Sequence, residues 1–262
     1  MTIVASPGLE RRLKAQSVGE VLFDAFTRGR YATDASSYQM MPLGVVVPRT
    51  IAEAERAIAV ARSEGVTVLP RGGGSSQCGQ TVNHSLVIDC SKHLNKIVSL
   101  DAPGKTCVVQ PGIVLDELNR QLKPHGLWFP VDVSTASRAT IGGMTGNNSC
   151  GTRSLRYGTT RDNILSVSAM LPNGSPAYFG AVSADLSELP PDSALRPIAR
   201  QLLALGAREA DEIEARFPKV QRRVGGYNLD ALVPKNTKHN LAHILVGSEG
   251  TLAFSTKIEL KL

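Results

Sequence analysis

Two stretches of this sequence carry residue types and spacings suited to chemistry. The first is Leu69-Pro-Arg-Gly-Gly-Gly-Ser-Ser-Gln-Cys-Gly-Gln80, where Gly72, Gly73 and Gly74 run directly into the hydroxyl donors Ser75 and Ser76. Glycine lacks a Cβ and tolerates positive φ, so successive N–H groups can turn into one concavity and hold an anion, most naturally a phosphate. A mobile surface linker is the other reading of three glycines. The second is Ser137-Arg-Ala-Thr-Ile-Gly-Gly-Met-Thr-Gly-Asn-Asn-Ser-Cys-Gly-Thr152, with Gly142, Gly143, Gly146 and Gly151 among Thr140, Thr145, Asn147, Asn148 and Ser149. Its residues permit close backbone approach and offer hydrogen bonds without bulk or charge. It reads as a long loop, and a turn-rich structural connection is the alternative, although ordinary connections are shorter.

Neither stretch has a common nucleotide fingerprint. The spacing G-x-G-x-x-G is missing from the first, and no G-x-x-x-x-G-K-[ST] occurs in the chain, which argues against Rossmann and Walker sites. Two Gly-rich loops suit one extended ligand, with a pyrophosphate on the first and a flat ring along the second.

Other reactive side chains are weaker candidates. Asp132 and Asp162 have Ser, Thr or Asn neighbours and suit turn caps as well as the edge of a bound ring or a substrate. Tyr227 and Asn228, after Gly225-Gly226, face a ring or pack in a core. Cys150 is a redox thiol or an idle one, with Arg153 its only basic neighbour. His84, His93, His125, His239 and His243 form no H-E-x-x-H, and the run after His243 reads as strand, so no metal site is expected. No catalytic residue stands out.

The elements that position these residues follow from periodicity. Leu9 to about Thr27 reads as one amphipathic helix anchored by Leu13, Val21, Leu22 and Phe26. Gly44 to Pro48 reads as a strand, and Thr50-Ile-Ala-Glu53 as a capping box that opens a helix stopping at Gly65. With the β-branched run Val66 to Val68 this makes a βαβ unit whose second strand ends at the first glycine stretch. That placement favours a ligand loop over a linker. Residues 85–89, 96–101 and 106–110 read as strands of a mixed or antiparallel sheet, and 114–122 as a short helix. Asn163 to Leu171 reads as a strand closed by the hairpin signal Pro172-Asn173-Gly174. A linker at 187–192 precedes a helix from about Ala194 to Arg216. Further Gly-rich segments follow at 222–232 and 243–254, and residues 255–262 alternate like a strand.

Composition excludes several classes. At 262 residues and 42% hydrophobic the chain can bury a real core. Its net charge of +6 is scattered and not interleaved with aromatics, so nucleic acid is not an expected partner. Cys78, Cys90, Cys107 and Cys150 make no C-x-x-C pair, which disfavours zinc and iron–sulfur sites. The first residues break at Pro7-Gly8 and show neither a secretory apolar region nor a membrane span. The expected location is the cytoplasm, with peripheral contact at the inner face of the membrane left open.

Taken in order, Pro70-Arg-Gly-Gly-Gly-Ser-Ser76, Thr140-Ile-Gly-Gly-Met-Thr-Gly-Asn-Asn-Ser-Cys-Gly151, Tyr157-Gly-Thr-Thr-Arg-Asp-Asn163 and Val246-Gly-Ser-Glu-Gly-Thr-Leu252 resemble the FAD-linked oxidase family. This is the vanillyl-alcohol oxidase / p-cresol methylhydroxylase (PCMH) type, and the likeness is strongest to D-lactate, glycolate and D-2-hydroxyglutarate dehydrogenases. The resemblance covers about Val45 to Leu262, and Arg222 to Leu232 resembles the large bacterial members with a further iron–sulfur region.

The resemblance implies an α+β fold of two α/β subdomains with FAD between them. Its divisions would be an N-terminal helical extension at 1–40, a first subdomain at about 41–100 and a second at about 101–262. A C-terminal cap or substrate domain would be absent from this chain. Carried over by position, Arg71, Gly72, Gly73, Gly74, Ser75, Ser76 and Gly79 would bind the pyrophosphate, with Pro70 and Gln80 also in the cofactor site. Pro130, Ser134, Thr140, Ile141, Gly142, Gly143, Gly146, Asn147, Asn148, Ser149, Cys150, Gly151 and Thr152 would run along the diphosphate, ribityl chain and ring, with Tyr157 and Gly158 also in the cofactor site. Glu249 and Gly250 would lie near the adenosine side. Where covalent relatives carry histidine this sequence has Gly74, so the FAD is expected to be non-covalent.

The implied activity is oxidation of a D-2-hydroxy acid by hydride transfer to flavin N5, with a base and a carboxylate-binding arginine from a cap domain or partner subunit. The electron acceptor is not implied. A non-catalytic flavin or electron-relay subunit is the alternative. A reductase of the cell-wall enolpyruvyl type shares the fold, but its substrate-loop motifs are not evident.

Overall fold

Four strands carry the first glycine stretch to its place in the computed structural model, which describes residues 7–235 and 238–262. The apolar run at Met1–Ser6 lies outside the described residues. The chain begins with α1 (Pro7–Ala15), β1 (Glu20–Leu22) and α2 (Ala25–Tyr31). β2 (Gly44–Val47), α3 (Ile51–Ser63), β3 (Val68–Arg71) and β4 (Leu86–Asp89) complete the first layer pair. The sheet order is β1-β2-β4-β3, with β2, β4 and β3 parallel and β1 antiparallel to β2. β2 and β4 are buried at every residue, as suits strands covered on both faces.

The single helix expected from Leu9 to Thr27 is broken. Ser17 (φ 47°) and Gly19 (φ 96°) turn the chain, and Glu20–Leu22 leaves as a strand against Val45–Val47. Asp24 then caps α2 by accepting the Thr27 N–H at 2.8 Å. Periodicity hid the break because Leu13 anchors α1 while Val21 and Leu22 serve the strand; Phe26 is left exposed. Residues 20–22 therefore belong to the first sheet and not to a helical extension.

The capping signal at α3 holds in altered form. Thr50 Oγ1 accepts from Glu53 N at 3.2 Å, while Glu53 Oε2 accepts from Arg49 N at 2.7 Å, one residue earlier than the reciprocal box. Gly65 (φ 66°) follows the C-cap. The crossover returns to β3, with β4 inserted between β2 and β3.

The second layer pair begins with β5 (Ile97–Asp101), β6 (Thr106–Val109), α4 (Leu115–Leu122), α5 (Ile141–Asn147) and α6 (Ser154–Tyr157). β7 (Ile164–Met170), β8 (Pro176–Phe179), β9 (Ala181–Val182), α7 (Leu195–Arg208) and α8 (Ala210–Arg216) follow. β10 (His239–Asn240), α9 (Ala242–Leu245) and β11 (Phe254–Lys261) end the chain. The antiparallel sheet has the order β5-β6-β11-β7-β8, and β9 pairs with β10. Of the three runs read as one sheet, residues 86–89 join the parallel sheet and the other two the antiparallel one. The helix expected over 194–216 is two, divided at Glu209.

The four-stranded and five-stranded sheets are packed by separate cores. α1 and α3 pack Leu9, Leu13, Ala54, Ala57 and Ala61 on Val46, Leu86 and Ile88. The larger core joins Leu118, Leu122, Phe129, Ile141 and Met144 to Val167, Ile258 and Leu260. Phe254, the first residue of β11, belongs to the smaller core and ties the two layer pairs together.

Candidate functional site

The two glycine stretches meet. A Cβ on Gly72 would overlap Thr140 Oγ1, and one on Gly73 would overlap the Arg138 carbonyl oxygen, so only glycine allows this approach. Among the described residues, the backbone N–H groups of Gly72 to Ser76 donate to no protein acceptor. Backbone donors left unpaired need another partner, a ligand or water.

The second stretch is not a loop throughout, as expected from its glycines; its centre is helix α5. Thr140 Oγ1 caps it by accepting Gly143 N–H at 3.2 Å, and fully buried Ile141 and Met144 fix its inner face. Asn148, left-handed at φ 55°, closes its C-terminus. Cap and anchors outweigh the poor helix propensity of three glycines.

A turn at 247–250 completes this wall. Gly247 (φ 82°), Glu249 (φ 52°) and Gly250 (φ 74°) are all left-handed. Gly247 N–H donates to Thr145 O and Glu249 N–H to Gly146 O, both at 2.9 Å, which satisfies carbonyls at the end of α5. Asn147 Nδ2 donates to Glu249 Oε1 at 2.9 Å. Burial pushes the Glu249 carboxyl above its ordinary value, against hydrogen bonds from Asn147 and Gln80.

Residues 222–230 strap these pieces from outside. Asn228, buried, donates through Nδ2 to Val246 O (2.8 Å) and His243 O (3.1 Å). Its Oδ1 accepts from Arg161 Nη1 (3.2 Å) and Arg223 Nη2 (3.3 Å), and both arginines also pair with Asp230. Arg161 N–H donates to Asn148 Oδ1 at 3.0 Å, and Thr160 N–H to Ser149 O at 3.0 Å. Tyr227 Oη lies 2.8 Å from Thr251 Oγ1.

Between the walls is a cavity of about 410 Å³. Of the residues singled out in the sequence, Pro70 to Ser76, Gln80, Ser134, Thr140, Gly142, Gly143, Gly146, Asn147, Ser149, Cys150, Glu249 and Gly250 line it. The others have different neighbours. Gly79 lies under the Tyr38 ring, Ile141 is in the core, and Pro130 is buried. Gly151 allows close approach to the Asp132 backbone, and Thr152 Oγ1 donates to Asp132 Oδ2 at 2.7 Å. The Tyr157 ring meets Trp128 edge-on at 5.3 Å, and Gly158 (φ 79°) lies against the Asp162 side chain. Asp162 caps a local turn by accepting Thr159 N–H at 2.8 Å, whereas Asp132 does not cap its own turn but accepts Arg153 N–H at 2.8 Å across the sequence.

The lining also includes Val133, Asn148, Val224, Ser248 and Phe254. Asn148 lay within the second motif, while Val224 lay in Arg222-Arg-Val-Gly-Gly and gave no sign of reaching this wall. Cys90 and Cys107 are buried, and burial pushes their thiols up to about 12. Among the described residues no group of three or more His, Cys, Asp or Glu is placed to hold a metal. His243 sits on helix α9, where a strand was expected, because Asn240 Oδ1 accepts the Ala242 N–H at 2.9 Å and starts a turn.

Residues 42–177 match the family described as FAD binding domain. The chain is 35% identical over 253 residues to a D-2-hydroxyglutarate dehydrogenase of Haemophilus influenzae, covering 93% of this chain and 25% of that protein. It is 37% identical over 252 residues to glycolate oxidase subunit GlcD of Bacillus subtilis, covering 94% of this chain and 43% of the relative. The chain thus spans about a quarter of the length of the D-2-hydroxyglutarate dehydrogenases of H. influenzae, Pseudomonas putida and Escherichia coli. In fold it matches a solved alkyldihydroxyacetonephosphate synthase with TM-score 0.67 at 22% identity, over 98% of this chain and 39% of that one. It also matches Physcomitrella patens BBE-like 1 with TM-score 0.64 at 17% identity, over 97% of this chain and 44% of that one.

Proposed function

The chain belongs to the FAD binding domain family, and on that premise we propose that it is the flavin-binding part of a dehydrogenase that oxidises a D-2-hydroxy acid. The carrying observation is the row of unpaired N–H groups from Gly72 to Ser76 on one wall of a cavity whose other wall is the α5 glycine segment. The residues present fit FAD: neutral donors suit a pyrophosphate, and a wall with little side-chain bulk suits a ring system. FAD, when bound, supplies a two-electron acceptor for the hydride on the substrate Cα.

In this reading Gly72 to Ser76 bind the pyrophosphate through N–H and hydroxyl donors, while Gly142, Gly143 and Gly146 give the ring and ribityl chain room. Ser149 and Cys150 lie at the end of that wall, and Glu249 and Gly250 close it. Cys78, Cys90, Cys150, Arg71 and Glu249 are the ionisable groups on the lining, and none is paired with a second group as an acid–base couple. A general base and a cation for the substrate carboxylate are therefore assigned to a further domain or a partner subunit, consistent with the quarter-length match to the dehydrogenases.

The proposal includes non-covalent attachment. Gly74 carries no side chain that could bond to a flavin, and its left-handed backbone (φ 62°) is one that L side chains rarely adopt. Among the described residues no helix is long and apolar enough to cross a membrane, and the proposed location is the cytoplasm or its face of the membrane.

Reconstitution with FAD, followed by gel filtration, is the test. The expected result is a protein-bound flavin absorption band, with all flavin released on denaturation. Absence of bound flavin would refute the cofactor assignment, and flavin left on the denatured polypeptide would refute the mode of attachment. D-2-hydroxyglutarate, D-lactate and glycolate with a dye acceptor then test the substrate class. Dye reduction by none of the three, with a further domain or partner subunit present, would refute the substrate assignment.

A further inference from the structure

We infer that Arg71 is a positioning residue: with residues 31–38 it forms a clasp behind the first glycine loop that fixes its N–H groups, and it does not itself hold the anion. The inference rests on the reading of this loop as the pyrophosphate site.

The guanidinium is committed elsewhere. Nη1 donates to Tyr31 O (3.2 Å) and Thr81 O (3.0 Å), and Nη2 to Thr33 O (2.7 Å). Its Cζ also lies 5.6 Å from the centroid of the Tyr31 ring. Three carbonyls from two segments thus converge on one planar group, a geometry that a fork of fixed donors meets and a single ammonium does not.

The loop folds back over this group. At Gly74 an added Cβ would come within 2.6 Å of Arg71 Nη2, and Gly74 O accepts the Ala35 N–H at 3.0 Å. Thr81 Oγ1 donates to Asp34 Oδ2 at 2.7 Å, closing the far end of the loop onto the same segment. The Tyr38 ring then packs against Gly79. Tyr31 is held in turn through its hydroxyl, which donates to buried Asp89 at 2.5 Å.

Charge points the same way. Asp34 and Asp89 both act on Arg71, so the local sum of one cation and two carboxylates is not positive. Attraction for an anion must come from the oriented N–H groups, whose usefulness depends on their being held in place before binding.

The test compares Arg71→Lys with Asp34→Ala, a change outside the cavity lining. FAD affinity is read by flavin fluorescence titration, and exchange of the Ala35 amide, hydrogen-bonded to Gly74 O, is read without FAD. A clasp predicts that Arg71→Lys, despite its charge, weakens FAD about tenfold. Asp34→Ala should weaken it several-fold, and both should speed exchange at the Ala35 amide, which donates to Gly74 O, while β2 and β4 stay protected. Parental affinity and exchange in Arg71→Lys would overturn the inference, since charge alone would then suffice. Should Arg71→Lys not fold, Asp34→Ala decides alone: unchanged affinity and exchange overturn the clasp. If the parent binds no FAD, the cofactor reading fails, and the exchange comparison still judges the clasp.

Discussion

Thr140 Oγ1 occupies the space that a side chain on Gly72 would need, and the same oxygen accepts the Gly143 N–H at 3.2 Å. One hydroxyl thus sets both the approach of the glycine stretches and the start of α5. Gly72→Ala must displace it and break the cap. The expected cost is about 1–3 kcal/mol of stability, as for overpacking at other tight sites, together with loss of FAD retention on gel filtration. Thermal unfolding of both proteins is the check. An alanine variant that melts and retains FAD like the parent would show that the loops part without consequence.

Asn228 uses both ends of its amide, donating to Val246 O and His243 O and accepting from Arg161 and Arg223. Asn228→Asp keeps the shape and the acceptor but turns the donor into an oxygen facing two carbonyls. Attraction to the two arginines offsets part of that loss. A net destabilisation of about 1–3 kcal/mol is expected from the unpaired buried carbonyls, measured by urea unfolding. Faster dissociation of FAD should accompany it, because Val246 leads directly into the Gly247–Gly250 turn. Equal midpoints and slopes for the two proteins would remove Asn228 from this role.

Burial, and after it Arg161, holds the His243 imidazole below its ordinary 6.5. The unfolded chain then takes up the proton first as pH falls through 6.5, while the folded imidazole stays neutral. Stability from this group is complete above that pH and declines below it until the folded ring protonates too. The expected profile is a level unfolding temperature from about pH 8 to pH 7 and a decline toward about pH 5.5. In His243→Asn the decline over this interval should shrink. A variant with the parental slope would assign the decline to other groups.

The legible parts of the sequence were those where local pattern and tertiary role agree. The β2-α3-β3 unit was readable because Thr50 and Gly65 punctuate a helix between two apolar strands, and β11 because its burial alternates. α1, β1 and α2 merged into one expected helix because their apolar spacing is accidentally continuous across Gly19. α5 was hidden for the opposite reason: its glycines predict a loop, and only burial of Ile141 and Met144 with the Thr140 cap makes it helical. In the site, the glycines were legible as close-approach residues and Asp162 as a turn cap, whereas Asp132 reaches Thr152 and Arg153 through contacts distant in sequence. Val224 was not legible, since its place on the cavity wall depends on a strap formed by contacts distant in sequence.

The four cysteines divide by environment, and the division gives a chemical test of the cavity. Cys90 and Cys107 are buried with thiols pushed up to about 12, so the reactive thiolate is scarce at neutral pH. Cys78 is exposed and Cys150 partly so, and both line the cavity, one from each glycine stretch. Iodoacetamide at about pH 8 should therefore modify Cys78 and Cys150 in the native protein, and all four only after denaturation. FAD in the cavity should slow both native reactions, Cys150 more, because it follows the α5 wall while Cys78 lies at an exposed rim. Peptide mapping with and without FAD measures each rate. If Cys90 reacts as fast as Cys78, the first layer pair opens in solution; if FAD protects neither thiol, the flavin does not occupy the space between the two glycine walls.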